Sequence, residues 1–98
     1  VLEARFRRFA EQITLIDRQN RITFFNSGKH TIKKEAGFKY LSFIPLTPID
    51  ALTLDYEKYQ LHNHMVPNAR AYVSNEFIGS TATVYLSNGL IAVIQSKD

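Results

Sequence analysis

Cysteine is absent from this chain of 98 residues. A disulfide framework, a thiol nucleophile and a cysteine-based zinc site are therefore all excluded, although the absence chooses no compartment. Glycine and proline are scarce, at four and three residues, and the glycines form no Walker-type or dinucleotide-type motif, so no cofactor is expected. Carboxylates are also few. Glu3, Glu11, Asp17, Glu35, Asp50, Asp55, Glu57, Glu76 and Asp98 make no pair beside an apolar patch that would raise a pKa for acid–base work. Ser80 follows Gly79, but no G-x-S-x-G elbow surrounds it, and no aspartate is placed to orient His30, His62 or His64. The chain reads as something other than an enzyme.

Charge is missing altogether from Phe77 to Ser96, a run long enough to span a membrane. Ser80, Thr81, Thr83, Ser87, Asn88 and Gly89 interrupt it, and its alternation is that of strands, so a span is rejected; no signal peptide is visible either. What is present is an ordinary globular composition, 45% hydrophobic and 21% charged, which excludes disorder and is sized for one domain over 1–98. The net charge of +3 is a mild basic bias concentrated toward the beginning. Arg5, Arg7, Arg8, Arg18, Arg21, Lys29, Lys33 and Lys34 all fall in the first 34 residues.

Leu2, Phe6, Phe9, Ile13 and Ile16 recur at spacings of three and four, which predicts an amphipathic helix over about 1–18. Arg5, Arg8 and Gln12 lie on its opposite face, free for a partner helix or for solvent. Val1 has neither an initiator methionine nor a cap before it, so the helix is expected to continue upstream. Strands are predicted at Arg21–Asn26 and Lys29–Lys34, joined as a hairpin through Ser27-Gly28, and at Phe38–Ile44. Pro45 and Pro48 bracket a loop. Ile49–Lys58 reads equally as a strand through Ala51–Leu54 or as a helical turn. Further strands are expected at Tyr59–Asn63 and Arg70–Ser74, with a turn at Pro67-Asn68. Thr81–Ile94 reads as a hairpin closed by an Asn88-Gly89 type I′ turn, setting Leu86 opposite Ile91 and Val84 opposite Val93. Its dry face, Ala82, Val84, Leu86, Ile91 and Val93, should meet the helix. The expected class is α+β: one long N-terminal helix on a consecutive antiparallel sheet over about 21–95.

Two constellations carry possible chemistry. His62 and His64 share a strand face and could approach a metal with His30 or Asp55 as a third ligand. The alternative, with Tyr59 and Leu61 inward and Gln60, His62 and His64 toward water, is preferred, and no metal is expected. Lys29, Lys33, Lys34 and Lys39, with Phe24, Phe25 and Tyr40 nearby, could join phosphate contacts to base stacking, or simply solubilise a sheet edge.

Three stretches carry a family resemblance: Ile16-Asp-Arg-Gln-Asn-Arg21, Val66-Pro-Asn-Ala69, and Thr83 to Ile94 with its closing turn. In this order they resemble the soluble part of type IV pilins and pseudopilins, and most closely the competence minor pseudopilins of Gram-positive bacteria. The resemblance implies a pilin-like fold and a structural role: a minor subunit that helps assemble a competence pilus for DNA uptake in natural transformation. It implies anchoring in the cytoplasmic membrane by an N-terminal helix, display at the cell surface, and partnership with other minor pseudopilins and the major pilin. Val1, Leu2, Arg5, Arg8 and Gln12 would form the subunit interface, and the soluble part would be monomeric. Direct DNA contact would fall to Lys29, Lys33 and Lys34. A nucleic-acid-binding module and an extracytoplasmic sensor domain with a ligand pocket are the alternatives.

Overall fold

Segments rich in threonine, valine, isoleucine and aromatic residues favour extended backbone. In the computed structural model, which describes residues 14–68 and 73–97, they form nine strands and no helix among the described residues. These are β1 (Thr14–Ile16), β2 (Asn20–Phe25), β3 (Gly28–Lys33), β4 (Tyr40–Pro45), β5 (Ile49–Asp55), β6 (Leu61–Val66), β7 (Val73–Glu76), β8 (Thr81–Leu86) and β9 (Ile91–Ser96). They build two antiparallel sheets, one in the order β1-β2-β9-β4-β7 and the other in the order β3-β8-β5-β6.

The expected α+β class is thus corrected to an all-β sandwich. Residues 14–16, the end of the proposed helix, pair antiparallel with β2, with Leu15 opposite Ile22. Ile13 and Ile16 fit a helical spacing, but Thr14-Leu15-Ile16 is equally a short β-prone run, and periodicity does not separate the two over so few residues. Asp17 then closes the turn: its carboxylate accepts from the amides of Gln19 at 2.8 Å and Asn20 at 2.7 Å. These bonds hold its pKa below the ordinary value. The remainder of the proposed helix, with Val1, Leu2, Arg5, Arg8 and Gln12, lies outside the described residues.

Consecutive strands were expected to pair, and mostly they do not. β2 pairs with β9 and β3 with β8, so Ser27-Gly28 carries the chain from one sheet to the other and is not a hairpin turn. The hairpin expected over Thr81–Ile94 is overturned in the same way. β8 lies between β3 and β5, while β9 lies between β2 and β4. Its dry face survives the correction: Ala82, Val84, Leu86 and Ile91 are fully buried and Val93 nearly so. They meet Leu41, Phe43, Leu52 and Leu54 in one core, so the second sheet takes the place assigned to the helix. Burying each such side chain contributes about 1.5–3 kcal/mol.

Asn88-Gly89 consequently does a different job. Only Gly89 has a positive φ, at 89°. The Asn88 side chain accepts a hydrogen bond from the Asp50 amide at 2.8 Å, and the Leu90 amide donates to the Thr47 hydroxyl at 3.0 Å. The Leu46 amide donates to the Leu90 carbonyl at 2.9 Å. The β4–β5 and β8–β9 connections, which cross between the sheets in opposite senses, are therefore sewn side by side. A Cβ at Gly89 would overlap the Thr47 hydroxyl and lie 2.9 Å from the Pro48 carbonyl oxygen. Gly89→Ala is expected to lower unfolding free energy by about 2 kcal/mol or more, because it combines a disfavoured φ with a backbone clash. Urea denaturation would measure it, and a midpoint within error of the parent would contradict this account.

Candidate functional site

A polar corner forms where the β5–β6 connection meets β7. Along β5, Leu52 and Leu54 point into the core. Strict alternation would then put Asp55 and Glu57 on different neighbours' sides from Tyr56, with Glu57 toward solvent. Tyr56 breaks the alternation with a φ of 62°. Tyr56 itself ends up 59% exposed, and Glu57 turns inward to 1% exposure. Glu57 makes an antiparallel bridge with Phe77, just beyond β7, which ties the two sheets together at this edge.

Asn75 on β7 completes the tie. Its side-chain oxygen accepts from the Tyr59 amide at 2.9 Å, and its side-chain nitrogen donates to the Tyr59 carbonyl at 2.6 Å. The same oxygen accepts from the Glu76 amide at 3.0 Å. A side chain only 3% exposed is thus spent on holding both backbone groups of one residue whose own ring is 56% exposed. The Lys58 amide donates to the Glu76 carbonyl at 3.0 Å. The Lys58 ammonium lies 3.3 Å from the Glu76 carboxylate and 5.4 Å from the centroid of the Tyr59 ring. The Glu76 partnership is the main reason the Lys58 pKa is raised.

Both carboxylate oxygens of Glu57 are buried and have no hydrogen-bond partner among the described residues. Burial, followed by repulsion from Asp55, raises its pKa from 4.5 to about 8. The sequence reading, which found no carboxylate in a perturbing setting, missed it. The only signal was the i, i+2 pair Asp55 and Glu57, and that spacing normally places both groups in water.

The residues singled out from sequence are dispersed. Lys29 and Lys33 project from the outer face of β3, and Lys34 follows it, exposed, with its amide donating to the Ser80 carbonyl at 2.9 Å. Phe25 belongs to the other sheet and is stacked on His30, with centroids 4.4 Å apart. Lys29, Lys33 and Lys34 therefore do not share one binding face with Phe25, while Lys39 lies 5.6 Å from the centroid of the Tyr40 ring on the other sheet. His62 and His64 are exposed on β6, as expected, but so are Asn63 and Met65, because Asn63 has a φ of 49° and the strand is bulged. Tyr59, expected inward, is the exposed ring of the corner.

Comparison with known proteins gives this arrangement a context. The family described as thiamin pyrophosphokinase, vitamin B1 binding domain, matches residues 29–91. Thiamine pyrophosphokinase of Bacillus subtilis is 39% identical over 89 residues, which is 89% of this chain and 42% of that protein. The crystal structure of a thiamin pyrophosphokinase family protein from Enterococcus faecalis superposes with a TM-score of 0.90 at 43% identity, over 99% of this chain and 46% of that one. The chain therefore spans about half the length of the relatives it matches. A cupin-2 domain protein from Shewanella frigidimarina, 10% identical with a TM-score of 0.57 over 98% of this chain and 92% of its own, shares the fold alone.

These findings overturn the pilin resemblance and what it implied: the competence pilus role, the pseudopilin partners, the membrane anchor and the cell-surface location. No helix among the described residues is long and apolar enough to cross a membrane. The nucleic-acid and sensor alternatives find no counterpart among these relatives. The reading as a non-enzyme is corrected as well, since the matched relatives carry the names of pyrophosphokinases.

The Glu57 carboxyl makes a pH prediction. Its pKa is higher folded than unfolded, so between pH 4.5 and about 8 the folded chain holds the extra proton. Stability is greatest below that window, falls as pH rises through it, and levels off above. Glu57→Gln should flatten the slope in chemical denaturation measured at pH 5, 6.5 and 8. An unchanged slope would assign the pH dependence elsewhere.

Proposed function

The chain belongs to the thiamin pyrophosphokinase vitamin B1-binding domain family, and from that membership we propose that it binds thiamin at the Tyr59 corner and holds it for pyrophosphoryl transfer. Thiamin combines a permanently cationic thiazolium, a flat aminopyrimidine and a primary alcohol. A rigid aromatic face with carboxylates beside it suits the two rings. The observation that carries this reading is the double hydrogen bond from buried Asn75 to the backbone of exposed Tyr59. It fixes the backbone that carries the ring before any ligand arrives, so less ordering entropy is lost on binding.

Lys58 supports the same reading, since its ammonium already rests near the face of that ring. The Glu76 carboxylate provides an alternative partner for Lys58, leaving the ring available to an incoming cation. Glu57, within the corner, is an acceptor when ionised and a donor when protonated. In the reaction, an oxygen–phosphorus bond forms at the thiamin hydroxyl as the corresponding bond of the donor breaks, and the hydroxyl proton is released. The contribution of this chain is to orient the alcohol and keep the rings from tumbling.

Thiamin titration by calorimetry tests the proposal. Tyr59→Ala should weaken binding about tenfold or more, while Tyr59→Phe, which keeps the ring, should stay within about threefold. Asn75→Ala should weaken thiamin binding and also destabilise the fold by about 1–3 kcal/mol, because it leaves buried backbone groups unpaired. Tyr59→Ala with unaltered affinity would move the site elsewhere. Absence of thiamin binding by the parent protein would remove the reading.

A further inference from the structure

The outward face of the sheet β3-β8-β5-β6 is polar, and it holds a depression of about 260 Å³ lined by Lys29, Thr53, Asp55, Tyr56, Thr83 and Tyr85. Strand register builds it. Lys29 on β3 stands opposite Tyr85 on β8, and Tyr85 stands opposite Thr53 on β5. Two residues along, Thr83 stands opposite Asp55. With neighbouring strands about 4.8 Å apart and a rise of about 3.4 Å per residue, the backbones of Lys29 and Asp55 are separated by about 12 Å diagonally.

The two charges are therefore held apart on opposite sides of the depression. Lys29 forms no ion pair among the described residues, where Arg21 pairs with Glu35 and Lys58 with Glu76. One oxygen of Asp55 accepts from the Tyr56 amide at 3.2 Å. The positive φ of Tyr56 raises that residue as a wall beside Asp55. Tyr56 and Tyr85 remain 59% and 40% exposed. The surface thus offers a carboxylate beside Tyr56 at one side, an ammonium beside Tyr85 at the other, and the Thr83 hydroxyl between them, while the Thr53 hydroxyl is bonded to Asn63.

We propose that this depression is a second small-molecule site, separate from the Tyr59 corner, for a heteroaromatic cation carrying a phosphate or diphosphate tail. The cationic ring lies against Asp55 and the Tyr56 ring, where charge and cation–π attraction act together, and Tyr85 walls the side toward Lys29. The tail takes charge-assisted hydrogen bonds from Lys29 and a hydroxyl donor from Thr83. The inference rests on the thiamin reading in one respect: thiamin diphosphate, the product of the proposed transfer, has this chemistry, whereas thiamin lacks the anionic end. The site reads product in preference to substrate.

Calorimetric titrations of thiamin, thiamin diphosphate and inorganic pyrophosphate into the parent, Lys29→Glu, Tyr85→Ala and Tyr59→Ala proteins provide the test. The expected result is a diphosphate site that survives Tyr59→Ala and is weakened about tenfold or more by Lys29→Glu, with thiamin affinity unchanged in Lys29→Glu. Tyr85→Ala should weaken the same diphosphate site in a protein whose lysine is intact. Diphosphate binding that is abolished by Tyr59→Ala and indifferent to Lys29→Glu would overturn the proposal, as would equal weakening of thiamin and its diphosphate by Lys29→Glu. Pyrophosphate binding as tightly as the diphosphate ester would also overturn it, by showing that the ring goes unread. If the parent binds the diphosphate in a Lys29-dependent way but does not bind thiamin, the second site stands and the Tyr59 reading falls.

Discussion

Repeated transfer of the chain between two facing sheets is the constraint on which this fold depends. Among the described residues nine strands follow one another, and of the eight successive pairs β1–β2 and β5–β6 lie within one sheet while the other six lie in different sheets. A crossing brings backbone amides and carbonyls toward the dry interface, where an unpaired group is costly. The chain meets this demand with a few polar side chains at the rim. Thr47, Ser87 and Asn88 serve the paired crossings around Gly89. Gln95, 4% exposed, accepts from the Glu35 amide and donates to the Lys33 carbonyl, joining β9 to the end of β3. Asn75 ties the β5–β6 connection of one sheet to β7 of the other.

Asn75 and Gln95 use the same chemistry to different ends. A buried amide side chain has one acceptor and two donors, enough to stand in for a missing stretch of ladder. At Gln95 that substitution closes a seam between β9 and the residues that end and follow β3. At Asn75 it positions a ring that faces outward, with an ion pair beside it and the buried Glu57 close in sequence. In the proposed reading, structural and functional demands coincide at that corner: the bonds that seal the sandwich also hold the backbone of the residue assigned to the ligand.

The pilin resemblance shows how far collinear patterns can mislead. Its three stretches are real features of the chain with other meanings in space. Ile16–Arg21 spans the end of β1, the Asp17 turn and the start of β2. Val66 closes β6 ahead of Pro67-Asn68. Thr83 to Ile94 holds two strands of different sheets joined by a crossing that imitates a tight hairpin. A consecutive sheet and an interleaved sandwich are written with nearly the same alternation, because alternation records which face is dry and not which strand lies alongside.

From sequence alone, strand positions were legible wherever β-branched and aromatic residues alternate, and so was the dry face of Ala82, Val84, Leu86, Ile91 and Val93. Local preference and burial act residue by residue, and both leave their mark on composition. Pairing partners were not legible, since backbone hydrogen bonds are alike for every strand and the choice between β9 and β3 as neighbour of β2 is made by the packing of two whole sheets. The candidate site was hidden for the same reason. Glu57 turns inward because Tyr56 adopts a left-handed conformation, and Tyr59 turns outward because Asn75, sixteen residues away in the chain, binds its backbone. Sequence supplied the carboxylate, the amide and the ring; only the closure of the two sheets brought them to one corner.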